Sequence, residues 1–127
     1  MNWFGDNMKN MEIEFSIISL DSKANFNTKA EFFENRLKFI DDEGNTHYIL
    51  FKEDNKIEYV KRGSVSMQYR FDTSKQTHGT YEVDGNKFIL EIKTLSLINN
   101  SELLKIDYEL LLEGEVINST SILIKYL

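Results

Sequence analysis

The sequence predicts an all-β chain folded as a single antiparallel up-and-down barrel of about 8–10 strands, and three observations carry the prediction. Apolar and polar residues alternate with a period of two over most of the chain. Clusters of turn-forming residues interrupt that alternation every 8–12 residues or so. Proline is absent from all 127 residues, which suits a sheet of mostly paired strands because proline cannot donate to a ladder.

Residues 1–9 read as a loosely held arm, with Trp3 and Phe4 placed to cover one end of the barrel, and 10–127 as the barrel domain. The first strand follows: Met11, Ile13, Phe15 and Ile17 alternate with Glu12, Glu14, Ser16 and Ile18. Over Thr28-Lys29-Ala30-Glu31 the spacing is that of a helix capping box, and Phe33, Leu37 and Ile40 recur at helical intervals. Strand competes there, because Glu34-Asn35 is a plausible turn.

Leu37 and Phe39 then lead into the turn Asp41-Asp42-Glu43-Gly44-Asn45, and Tyr48 and Leu50 lead out. Glu53-Asp54-Asn55 separates them from Ile57-Glu58-Tyr59. The clearest strand is Ser64 to Asp72, where Val65, Met67, Tyr69 and Phe71 alternate with Ser66, Gln68, Arg70 and Asp72. Tyr81 and Val83, the turn Asp84-Gly85-Asn86, and Phe88, Leu90 and Ile92 make a β-hairpin, since the turn residues tolerate positive φ. Leu104, Ile106, Tyr108, Leu110 and Leu112 fit a strand without a gap, although Leu103, Ile106, Asp107, Leu110 and Leu111 also fit a helical stripe. Glu113-Gly114-Glu115 then turns the chain towards Ile122, Ile124 and Tyr126. No internal repeat, low-complexity segment or domain boundary interrupts this order.

Composition narrows the functional classes. There is no cysteine, hence no disulfide, no thiolate nucleophile and no thiolate zinc ligand. The start lacks the basic and apolar regions of a secretory signal, and no segment approaches the roughly 18 consecutive apolar residues of a membrane span. The expected residence is cytoplasmic, without membrane contact. A formal net charge of −6 argues against a nucleic-acid partner, because phosphate contacts come chiefly from Lys and Arg. Lysines alternate with carboxylates almost everywhere, so no basic patch stands out.

Arg62-Gly63, Met67, Arg70-Phe71, Tyr81 with Gly85, Thr94 and Ile106 with Tyr108 follow one another in an order that resembles the YwiB-like family of small bacterial proteins, a domain of unknown function. The resemblance runs from about Asn25 to the C-terminus; the first strand and the Ile98-to-Ser101 loop lie outside it. It implies a calycin-like, lipocalin-like barrel and strands at both contested segments, and it brings no activity with it.

Candidate sites are few. His47 and His78 are the only histidines, and both read as solvent-facing or loop residues, since a zinc site needs three or four ligands. Residues 41–45 lack the ligand spacing of a calcium loop and read as a solvated turn. Asp107 and Glu109 share a face with Lys105, which makes an ordinary charged outer surface of a pair that otherwise resembles a glycosidase dyad. No Gly-x-Ser-x-Gly elbow or phosphate loop occurs. No enzyme, metal or cofactor is therefore expected.

Arg62-Gly63 is the most distinctive spot. Its glycine suggests a positive-φ turn or a bulge, and its arginine a group lying across the barrel's end or meeting an acidic ligand at the mouth. The expected function is a non-enzymatic protein holding a small apolar or amphipathic ligand inside the barrel, with Arg62, Tyr69, Tyr81, Thr94 and Tyr108 as its binding residues. The alternative is an interaction or regulatory module using the acidic outer face or a sheet edge. Whether the chain forms homo-oligomers is open at this level.

Overall fold

The computed structural model describes residues 8–127, in which the alternation becomes ten strands. They are β1 (Met8–Ile18), β2 (Lys23–Phe33), β3 (Arg36–Ile40), β4 (Thr46–Lys52), β5 (Lys56–Arg62), β6 (Val65–Phe71), β7 (Thr77–Val83), β8 (Asn86–Asn99), β9 (Leu103–Leu112) and β10 (Glu115–Tyr126). Each pairs antiparallel with its neighbours in sequence, and β1 pairs with β10 to close an up-and-down barrel. The expected arm overlaps the start of β1 at Met8 and Lys9; its first seven residues, Trp3 and Phe4 among them, lie outside the described residues.

Both contested segments are strands. Thr28 does not cap a helix; its hydroxyl donates across to the Ile40 carbonyl at 3.3 Å. Leu37 and Phe39 point inward while Ile40 is exposed, so the helical spacing from Phe33 to Ile40 was coincidental. Along β9 the even residues Leu104 to Leu110 are buried and the odd ones are not. Short hairpins set the register. At Asp84-Gly85 and Glu113-Gly114 both central residues have positive φ, the geometry whose twist matches that of the flanking strands.

Ten strands enclose more width than the eight that side chains fill comfortably, and rings occupy the difference. Phe71 on β6 and Tyr108 on β9 are not strand neighbours, yet their centroids lie 4.7 Å apart across the interior. Phe15 on β1 and His47 on β4 approach to 5.7 Å. Gly79 makes room for this packing. A Cβ there would come within 2.6 Å of the Tyr69 ring and 2.8 Å of Ile92 Cδ1. The register shifts at Thr94/Ser96 on β8 and Val116/Asn118 on β10, leaving Leu95 and Ile117 as extra, exposed residues. No helix among the described residues is long and apolar enough to cross a membrane.

Candidate functional site: a buried polar relay and an open barrel end

The β1–β2, β3–β4, β5–β6, β7–β8 and β9–β10 turns gather at one end of the barrel, here the hairpin end. The other four turns, the start of β1 and the end of β10 gather at the terminal end.

Polar chemistry concentrates inside the hairpin end. His47 is not a solvent-facing histidine: it is 3 % exposed, because β4 turns its odd residues inward, with Ile49 on the same face. Its ring stacks on Phe39 at 4.6 Å and 9°. Nε2 lies 2.8 Å from Asp41 Oδ2 and Nδ1 lies 2.6 Å from the Tyr59 hydroxyl. Burial, the largest influence, pushes His47 below its usual pKa; the Asp41 hydrogen bond and charge oppose this, and the charge of Lys61 adds to the lowering. Tyr59, wholly enclosed, is held well above the usual phenol range by burial, with Tyr108 and Asp41 contributing.

Nor is 41–45 a solvated turn throughout. Burial alone would raise the Asp41 pKa. The hydrogen bond from His47 and those from the Asn45 amide, the Asn45 side chain and the Glu43 amide together bring it down to about 2. Asn45 is itself buried and reaches the β5–β6 turn. A Cβ on Gly63 would overlap Asn45 Oδ1. The glycine of Arg62-Gly63 therefore serves a close approach. Its φ is not positive and no register shift marks the spot.

Of the five residues expected to bind a ligand, Tyr69, Thr94 and Tyr108 are brought together inside the barrel and Arg62 is not. Arg62 is exposed, opposite Thr46 at the end of β5, on the parity that faces outward. Tyr69 and Tyr108 are buried, with centroids 6.2 Å apart. Burial raises both phenols, that of Tyr108 against a hydrogen bond with Thr120. Thr94 is buried opposite Tyr108, and its hydroxyl accepts the Asp72 amide at 3.1 Å. Tyr81 is half-buried against the core, opposite Met67. The middle of the barrel is thus occupied by rings in contact, and Arg62 stands apart from them. Asp107 and Glu109 lie on the outer face, Asp107 facing Lys105 at 3.9 Å.

The terminal end is different. A cleft of about 450 Å³ opens there, floored by Met11, Phe32, Phe51 and Tyr126. All four are half-buried and pack on the core without being covered by it. Phe32 and Phe51 meet at 5.8 Å. Asn35, Asn99, Asn100 and Ser101 form a polar rim. Asn35, just before β3, holds the end of β4 by two hydrogen bonds to the Phe51 backbone: its carbonyl accepts the Phe51 amide at 2.8 Å, and its side chain donates to the Phe51 carbonyl at 3.1 Å. Sequence reading missed this floor. Phe51 lies one residue beyond the Tyr48–Leu50 pattern and on the opposite parity, and only the pairing of Leu37 with Ile49 reveals which parity faces inward.

A family model described as "Domain of unknown function (DUF1934)" matches residues 10–124. The match takes in the first strand and the 98–101 loop, where no resemblance was legible. No protein of curated function matches the sequence. Among solved structures the chain is similar to one titled "Crystal structure of ywiB protein from Bacillus subtilis". The two are 18 % identical with a TM-score of 0.63, and 97 % of each chain is covered. At that identity the likeness is one of fold.

Proposed function

The chain belongs to the DUF1934 family of domains of unknown function, and from that premise we propose a non-enzymatic protein that binds a small apolar or amphipathic molecule at the terminal end of the barrel rather than in its middle. The observation that carries this reading is the terminal cleft itself. Four large apolar side chains, Met11, Phe32, Phe51 and Tyr126, remain half-open beneath a polar rim to which Lys9 and Glu34 also contribute. Its volume of about 450 Å³ falls within the range of about 300–1,000 Å³ typical of small-molecule sites. Apolar surface left in water is a binding resource, because covering it is favourable in proportion to area. No catalytic role is assigned to the polar relay, since His47 and Tyr59 are buried, Asp41 is half-buried, and the three satisfy one another. We take the protein as cytoplasmic, in keeping with a chain that has no cysteine.

An amide chemical-shift titration with dodecanol tests the reading. The expected shifts saturate and cluster on Met11, Phe32, Phe51 and Tyr126. Shifts that never saturate, or that gather around Tyr69 and Tyr108 instead, overturn it.

A second reading, an interaction module, draws on the exposed apolar residues of the β8–β10 wall, Ile89, Leu95, Val116 and Ile117. Loss of partner capture when Ile89 and Val116 are both replaced by Ser, with dodecanol binding unchanged, would favour it.

A further inference from the structure

Outside the terminal cleft, β4, β5, β6 and the β6–β7 connection frame a separate hollow of about 310 Å³. Four of its lining residues are cationic, Lys52, Lys56, Arg70 and Lys75, against two carboxylates, Glu58 and Asp72. This is an inversion of sign in a chain of net charge −6. Along the sequence each of these cations is followed or preceded closely by an acid, so the patch exists only once the strands pair. Glu53 and Asp54, in the turn between Lys52 and Lys56, are exposed and do not line the hollow.

The two carboxylates are already engaged. Glu58 Oε2 accepts from Arg70 Nε at 3.1 Å and from Gln68 Nε2 at 3.1 Å. Asp72 Oδ1 accepts from the Ser74 amide at 2.9 Å and the Ser74 hydroxyl at 2.6 Å, while Oδ2 faces Lys56 Nζ at 3.8 Å. Among the described residues Lys52 and Lys75 make no ion pair. Lys52 sits directly opposite Lys56 across the β4–β5 ladder, an arrangement of like charges that destabilises a sheet. Ile57 and Phe71, themselves cross-strand partners, lie beneath the hollow with their side chains buried in the core.

We propose that this hollow binds the phosphate group of a small molecule, held by Lys52, Lys56 and Lys75. A phosphate monoester carries about −1.5 to −2 charge near pH 7 and presents three acceptor oxygens, which suits a hollow lined by three lysines from two strands and a loop. The hollow is at the small end of ligand sites and is not the extended basic stripe that tracks a nucleic-acid backbone. The site is independent of the terminal cleft and stands or falls without it.

Phenyl phosphate and inorganic phosphate, titrated separately into the full chain at ionic strength matched with sodium chloride, test the proposal through amide chemical shifts. The expected result is saturable shifts at Lys52, Lys56, Lys75 and Thr77 with both ligands. The doubly substituted Lys52→Gln, Lys75→Gln protein, altered only at exposed side chains, should have a urea midpoint no lower than the native one and bind about tenfold more weakly. Shifts that follow the sodium chloride control, that fall equally on Lys23 and Lys29 across the barrel, or that persist in the double variant overturn the proposal. Tighter binding of duplex DNA than of phenyl phosphate to the same lysines also overturns it.

Discussion

His47 Nδ1 lies 2.6 Å from the Tyr59 hydroxyl on the next strand, and both groups are buried. With Nε2 at 2.8 Å from Asp41 Oδ2, one protonation state satisfies the whole chain of contacts. The neutral ring carries its proton on Nε2 and donates it to the carboxylate, while Tyr59 donates to Nδ1. A second proton on Nδ1 would meet the Tyr59 hydrogen and force that hydroxyl to turn, in a place where it is fully enclosed. The network therefore favours neutral His47, in the same direction as burial.

Stability should rise with pH in the weakly acidic range. His47 has a folded pKa below its unfolded value of 6.5, so the unfolded chain takes up the proton first as pH falls. The contribution of His47 is complete above pH 6.5 and shrinks as pH drops from there towards the folded value. Asp41 acts further down, its share being lost as pH falls from 3.8 through about 2. Urea midpoints measured between pH 7.5 and 5 should decline in the native protein and decline less in His47→Gln. Identical slopes in the two would remove His47 as the cause.

Tyr59→Phe keeps the ring and removes one hydroxyl. The cost is an acceptor at His47 Nδ1 left without a donor, about 1–3 kcal/mol for a buried polar group. Phe at this position preserves packing, so the loss should appear in chemical denaturation without a change in the cooperativity of unfolding. A Tyr59→Phe protein as stable as the native one would show that the 2.6 Å contact contributes nothing net.

Leu90 and Ile89 give the test of parity. They are neighbours on β8, one 6 % and the other 65 % exposed. Leu90→Ala removes buried methyl groups and leaves a cavity, about 2–5 kcal/mol, whereas Ile89→Ala should fall within about 0.5 kcal/mol of the native protein. Equal effects on the denaturant midpoint would mean that the inward face of β8 has been drawn on the wrong side.

The barrel was legible in the sequence wherever alternation ran unbroken, as from Val65 to Phe71 and from Leu104 to Leu110, because a period of two assigns each residue a face without knowledge of its partner. It failed at β4. There His47, Ile49 and Phe51 face inward while the apolar Tyr48 and Leu50 face outward, so both faces carry large apolar residues and alternation alone does not choose. That one ambiguity hid both the buried relay and the Phe51 floor of the terminal cleft. Arg62 was misplaced for a related reason: it follows Val60 on the outer face of β5, and its prominence came from Gly63, whose purpose lies in the turn that leads into the neighbouring strand β4. The cationic hollow was invisible in principle, being assembled by pairing from lysines that are interleaved with acids along the chain.

Gly63 supplies the sharpest test of that last kind of contact. A Cβ added there overlaps Oδ1 of Asn45, whose amide is held by Asp41. Gly63→Ala should therefore displace Asn45 and loosen the Asp41 turn, at a cost of about 1–3 kcal/mol typical of overpacking. Gly44→Ala meets no atom within 4 Å and suffers only from its φ of +85°, so a different mechanism operates there. Truncating the neighbour separates the two. In an Asn45→Ala background the two closest contacts are gone and only the Cβ of residue 45, 3.2 Å from the added atom, remains, so Gly63→Ala should cost much less, whereas Gly44→Ala should cost the same as before. Measured as a double-mutant cycle, the Asn45–Gly63 coupling should equal most of the single-mutant loss. A Gly63→Ala penalty unchanged by removal of the Asn45 side chain would place its origin in the β5–β6 turn itself and not in contact between the two turns.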